Sequence, residues 1–118
     1  MHLTNSDLGY EKLDVNPVET NAGSNKTATS TLFKNNNFVI KVNHQDNGFD
    51  ENSYVFFRGA NNVGGVNASQ LNSRLFKISN PGVDYYNITS NSRASANSFG
   101  GGLSVMASRN RKFEKLYA

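Results

Sequence analysis

The chain contains no cysteine and no tryptophan, only two prolines and two histidines, and no apolar run of the length a membrane-spanning helix needs. Without cysteine there is no disulfide framework, no thiol nucleophile and no thiolate metal site, so packing or assembly has to hold the fold together. The two imidazoles, His2 and His44, offer little to acid–base chemistry. His2 sits at the terminus, and no triad motif places a serine or carboxylate against His44, which reads as a turn residue. The opening residues, Met-His-Leu-Thr-Asn-Ser-Asp, lack the basic and then apolar order of a signal peptide, so a soluble protein made in a cytoplasm is expected, with no membrane partner.

Apolar residues are scarce too, at 36% of the chain with a mean hydropathy of −0.57. A chain of 118 residues can form one domain with one modest core. Backbone pairing and side-chain fit must then contribute more than buried area, and an oligomer or a tandem neighbour would add to both.

What is plentiful is asparagine, with 19 residues, joined by 13 serines and 10 glycines. Their side chains hydrogen-bond locally to the backbone, and asparagine and glycine tolerate positive φ; this favours turns over long helices. Charge is unevenly spread. Residues 1–52 hold four Lys/Arg against seven Asp/Glu, and residues 53–118 hold eight against two, hence −3 and then +6. Such a split suits a nucleic-acid surface or a module that sets its basic end on the acidic end of a neighbour.

Residues 1–27 show no sustained period and read as an extended N-terminal arm or linker. Residues 28–108 read as a β-module and residues 109–118 as a basic C-terminal tail or the start of a next module. Within the β-module, alternation at Thr29, Thr31 and Phe33 and the run 38–42 predict two strands around a tight turn. Residues 54–57, Tyr-Val-Phe-Phe, predict the central strand. Residues 67–72 predict one helical turn, with Asn67 as its N-cap and Leu71 pointing inward. Phe76 and Ile78 alternate with Leu75, Lys77 and Ser79, and Tyr86 and Ile88 with Tyr85, Asn87 and Thr89. Between them Pro81 and Gly82 suit positions i+1 and i+2 of a type II turn, which predicts the clearest hairpin of the chain. A short strand is expected at 103–107 after a Gly-rich loop. The expectation is an all-β, barrel-like or sandwich module of about six or seven short strands. One repeat stands out: residues 10–13 read Tyr-Glu-Lys-Leu and residues 113–116 read Phe-Glu-Lys-Leu, 103 positions apart.

Catalytic, cofactor and metal sites are not expected. Asp46, Asp50 and Glu51 fail the EF-hand spacing and read as a solvated loop. The triple glycine at 100–102 lacks the Lys-Ser/Thr of a phosphate loop. Arg109, Arg111, Lys112 and Lys115 are candidate interaction residues, and with Tyr54, Phe56, Phe57, Tyr85 and Tyr86 they would compose a nucleic-acid-binding small β-barrel. Four basic residues are a thin footprint for that class, so nucleic acid is not the expected partner. A receptor- or glycan-binding adhesin, with Tyr54, Tyr85 or Tyr86 on a shallow face, is the other alternative.

The order of parts carries a resemblance. His44-Gln-Asp-Asn-Gly48, a β-run ending Phe-Phe-Arg-Gly-Ala at residue 60, Val-Gly-Gly-Val-Asn-Ala-Ser-Gln-Leu-Asn at 63–72, a strand ending Tyr-Tyr-Asn-Ile-Thr at 89, and the segment 94–102 follow one another. Together they resemble a small β-module of tailed-phage virion structural proteins, found in tail, baseplate and fibre-associated proteins of marine contractile-tailed phages. His44, Gly48, Gly59, Gly65, Leu71, Asn72, Pro81, Gly82 and Tyr86 are the structural signature. The sequence departs from the pattern at Asn47 (His in the family), Arg58 (Ser) and Ser73 (Gly). The resemblance covers about residues 14–117. It implies a non-enzymatic role, partners among other virion structural proteins, and localisation in the virion after synthesis in the host cytoplasm.

Overall fold

The computed structural model describes residues 9–23 and 32–109. Among the described residues eight strands form two four-stranded antiparallel sheets packed as a sandwich: β1 (Tyr10–Lys12), β2 (Val18–Thr20), β3 (Val39–Asn43), β4 (Tyr54–Arg58), β5 (Leu75–Lys77), β6 (Tyr85–Thr89), β7 (Ser98–Gly100) and β8 (Met106–Arg109). The first sheet runs β1-β8-β4-β5 and the second β6-β3-β2-β7, so the chain changes sheet four times. Described helical structure is confined to two 3₁₀ turns, Phe33–Asn35 and Ala68–Gln70.

Alternation places the core. Val55 and Phe57 of β4 are buried while Tyr54 and Phe56 are half-buried, which puts one face of this interior strand against the second sheet. Ile40 and Val42 of β3 meet Tyr86 and Ile88 of β6, paired in register as Ile40↔Ile88 and Val42↔Tyr86. Leu71, Phe76 and Ile78 point into the core as their spacing predicts. The core is thin because β1 and β7 place no side chain in it and each of the other strands places only one or two in the main apolar cluster. Asn36, Thr20 and Asn87 are also buried, so backbone and amide hydrogen bonds share the work of burial.

Several sequence expectations are corrected. The described part of the segment read as an arm supplies a strand to each sheet. β1 pairs with β8, and β2 lies between β3 and β7. Three-residue strands are too short to show a period, so their pairing was invisible in sequence. Phe33, expected on a strand, lies in a 3₁₀ turn; residues 28–31 of that expected strand lie outside the described residues. The expected hairpin of β5 and β6 is split between sheets and joined by the single bridge Ser79↔Asn87. β6 instead forms five residue pairs with β3, and that longer ladder outweighs the local one. Gly82 does not take the positive φ of a type II turn, and Asn80 does, at φ 45. A Cβ at Gly82 would sit 2.4 Å from the Tyr85 ring, so that glycine is needed for space. The last strand begins at Met106 instead of 103, and β7 emerges from the expected loop.

Between β4 and β5 the tight turn is Val63 to Val66, closed by reciprocal bonds Val63 N to Val66 O (3.0 Å) and Val66 N to Val63 O (2.8 Å). Gly64 and Gly65 both take positive φ, 54 and 87, as a type I′ turn requires. The turn tucks against β2, where a Cβ on Gly64 would lie 1.9 Å from Thr20 Oγ1.

Candidate functional site

The polar and aromatic groups of the molecule converge at one end of the sandwich, around His44. Burial leaves its ring 3% exposed, and both nitrogens are used: Nδ1 lies 2.9 Å from the Tyr86 hydroxyl and Nε2 lies 3.1 Å from Glu11 Oε1. Burial first, and the nearby Glu11 charge second, push the Tyr86 hydroxyl well above its ordinary pKa of 10.0. Tyr86 therefore stays protonated and shares a hydrogen bond with Nδ1, while the Glu11 carboxylate accepts from Nε2. A phenol held protonated is not poised as a nucleophile or a base. What the relay does is tie β1, the end of β3 and β6 together across both sheets.

Around this line lie aromatic rings. Phe49 meets His44 edge-on at 5.5 Å and Tyr86 at 5.0 Å between centroids. The Arg109 guanidinium covers Phe49 at 4.7 Å, and its Nη2 donates to Asn47 O at 3.1 Å. Asn47 is the hub of the adjoining loops. Its Nδ2 lies 3.1 Å from the carbonyls of His44, Gly82 and Val83 and 3.3 Å from that of Tyr85, and its Oδ1 accepts from Phe49 N at 2.8 Å. Beside it, Phe49, Pro81, Gly82 and Val83 line a shallow open groove with Asp46 on its rim.

The signature residues fall into three places. His44, Gly48, Pro81, Gly82 and Tyr86 belong to this end of the sandwich. Gly59 and Asn72 brace the end of β4: a Cβ on Gly59 would sit 2.2 Å from Ser104 O, and the Asn72 amide accepts from Ala60 N (2.9 Å) and donates to Ala60 O (2.7 Å). Gly65 is in the I′ turn and Leu71 is in the core. Arg109 is the last residue of β8 and is engaged with Phe49 and Asn47, while Arg111, Lys112 and Lys115 lie outside the described residues.

Asp50 folds into its own turn, accepting from Asn52 N at 2.8 Å and from Ser53 Oγ at 3.3 Å. Among the described residues no group of His, Asp or Glu is arranged to hold a metal. Of the five aromatics considered as a stacking set, Phe57 and Tyr86 are core, Tyr54 and Phe56 are half-buried, and Tyr85 is exposed with Lys41 Nζ 4.8 Å above its ring. Asn67 stands at the N-cap position without a side-chain bond; Asn62 Oδ1 accepts from Ala68 N instead, at 2.6 Å.

The outer edge of the second sheet is different in character. Among the described residues β7 is an edge strand paired with β2 alone, and it carries Phe99 at 65% exposure. Asn16 N donates to Gly102 O (2.9 Å) and Gly102 N to Asn16 Oδ1 (3.0 Å). The residues next to that pair, Val15 and Leu103, are also exposed, at 59% and 65%. Sequence reading missed this edge because Phe99 sits in a Ser, Asn and Gly-rich segment, and it missed Asn47 and Glu11 because their partners are distant in the chain. No protein-family profile, curated protein or solved structure matches the chain.

Proposed function

We propose that this chain is a non-enzymatic structural and assembly module of a phage tail, baseplate or fibre, located in the virion after synthesis in the host cytoplasm. Its partners are other virion structural proteins, further copies of itself included. The observation that carries the assembly role is the edge strand β7 with its exposed Phe99, while exposed Val15 and Leu103 flank the Asn16–Gly102 pair further along the same two segments. An unpaired strand edge offers backbone donors and acceptors to a neighbouring strand, and exposed apolar side chains along it add burial on contact. The ordered sequence signature supports the virion setting, and the His44 relay supports a structural use of the groups that would otherwise suggest chemistry.

Sedimentation of the purified chain over a concentration series tests the assembly role. Association that strengthens with concentration is expected, and Phe99→Asp with Leu103→Asp should abolish it while the far-ultraviolet circular dichroism stays unchanged. A monomer at every concentration, alone and with purified tail proteins, would count against the reading. Mass spectrometry of purified phage particles tests the location.

A further inference from the structure

Strand alternation sorts the first sheet into two faces of opposite character. Directly paired residues of an antiparallel ladder point to the same side, so the registers of β1, β8, β4 and β5 fix which side chains face away from the core. On that outward side stand Tyr54, Phe56 and Arg58 of β4, Tyr10 and Lys12 of β1, and Lys77 of β5. The three cations are exposed and the three rings are half-buried. No Asp or Glu occupies an outward position on these four strands, because Glu11 points the other way, to His44. The carboxylates nearest to β4 in sequence, Asp50 and Glu51, belong to the turn before it, where Asp50 is bonded to Asn52 and Ser53.

We propose that this face binds single-stranded nucleic acid, with bases stacked on Tyr54 and Phe56 and phosphates held by Lys77, Arg58 and Lys12. Residues two apart on one side of a strand are about 7 Å from each other, which suits successive bases of an unstacked chain. Cations stand at both ends of this short track: Lys77 is directly opposite Tyr54, and Arg58 is two positions beyond Phe56. Lys12 shares the row of Arg58 across Met106. Tyr10 is a positioning residue, since the Arg58 guanidinium lies 5.0 Å from the centre of its ring. A duplex keeps its base faces inside and offers nothing to the rings. A neutral glycan needs amide or carboxylate partners for its hydroxyls, and no Asn, Gln, Asp or Glu faces outward on these strands. This is not the set that the sequence suggests: Phe57 and Tyr86 are in the core, Tyr85 is on the second sheet, and Arg109 pairs with inward Val55. The face belongs to the first sheet and the β7 edge to the second, so the inference stands apart from the assembly role.

The test is fluorescence anisotropy of a labelled oligothymidine titrated with the full chain over a series of salt concentrations. Three phosphate contacts predict that log K falls against log salt with a slope of about −2. Lys77→Gln and Arg58→Gln, both at exposed positions, should each reduce that slope by about 0.7. Phe56→Ala should weaken binding about tenfold and leave the slope unchanged. Circular dichroism identical to that of the unaltered chain is required of Phe56→Ala, and if it does not fold the two charge variants carry the test. An ultraviolet cross-link from the bound strand, located by peptide mass spectrometry, should fall on Tyr54 or Phe56. The proposal is overturned by absence of binding at low salt, by a slope indifferent to both charge variants, or by cross-links confined to residues 109–118. Equal binding of an abasic strand, a duplex, heparin or polyglutamate overturns it too, since none of these offers bases to the rings. Phe99→Asp with Leu103→Asp should bind oligothymidine as the unaltered chain does, so failure here and failure of the assembly role are read separately.

Discussion

Tyr86 illustrates how one buried hydroxyl can organise several elements. Its folded pKa lies above that of the unfolded chain, so its contribution to stability is whole below about pH 10 and is lost as pH rises through the raised folded value. Urea denaturation at a series of alkaline pH values should show stability falling there, and Tyr86→Phe should flatten that fall. At neutral pH the same substitution leaves His44 Nδ1 without its hydrogen-bond partner and should cost about 1–3 kcal/mol. Asn47 makes the second prediction at this scale. Asn47→Ala removes the amide shared among the carbonyls of two loops and should lower stability by about 2–3 kcal/mol, read as a lower urea midpoint with an unchanged slope. In the sequence Asn47 stands in an Asp-Asn-Gly turn signal and where the resembled family has a histidine. Its acceptors at residues 82, 83 and 85 are more than thirty positions away, which is why no local pattern exposed it.

Among the elements, turns separate into those that need glycine for conformation alone and those that need it for space as well. At Gly64 both apply, since φ is 54 and a Cβ would overlap Thr20 Oγ1. At Gly48 the φ is 66, but the nearest atom to a Cβ is the movable Arg109 Nη2 at 3.3 Å. Gly48→Ala should therefore cost about 1 kcal/mol and Gly64→Ala at least about twice that, compared by thermal or urea unfolding. The paired glycines of the 63–66 turn stand in the sequence, but the contact of that turn with β2 does not. The segment 75–89 gives the opposite lesson. Inward Phe76, Ile78, Tyr86 and Ile88 all followed from alternation, yet the strands that bear them belong to different sheets. Alternation reports which face is apolar and carries no information on which strand lies alongside.

For the whole molecule the sandwich depends on the segment that sequence reading set aside as an arm. β2 has a neighbour on each side and Val18 is in the core, so deletion of residues 1–23 should abolish cooperative unfolding, as followed by circular dichroism during a urea titration. A true arm would be removed with the transition intact. The exposed residues Phe99, Val15 and Leu103 belong to this scale as well, because the pairing of β2 with β7 and the Asn16–Gly102 bonds bring these distant segments together.

The four residues repeated at 10–13 and 113–116 show how the two kinds of information divide. By itself the sequence determined the class: abundant turn formers, short alternating runs and the absence of long helical periods permit little except short antiparallel strands. For residues 75–89 it also determined which apolar side chains face inward, because that depends only on a two-residue period. The tertiary structure decided which strands pair, that β1 and β2 are integral, and that Tyr10, Glu11 and Leu13 each answer a partner far along the chain. Pairing in a sheet is a competition among distant segments for the same backbone edges. Its outcome is set by total ladder length and core fit, which no window of neighbouring residues contains.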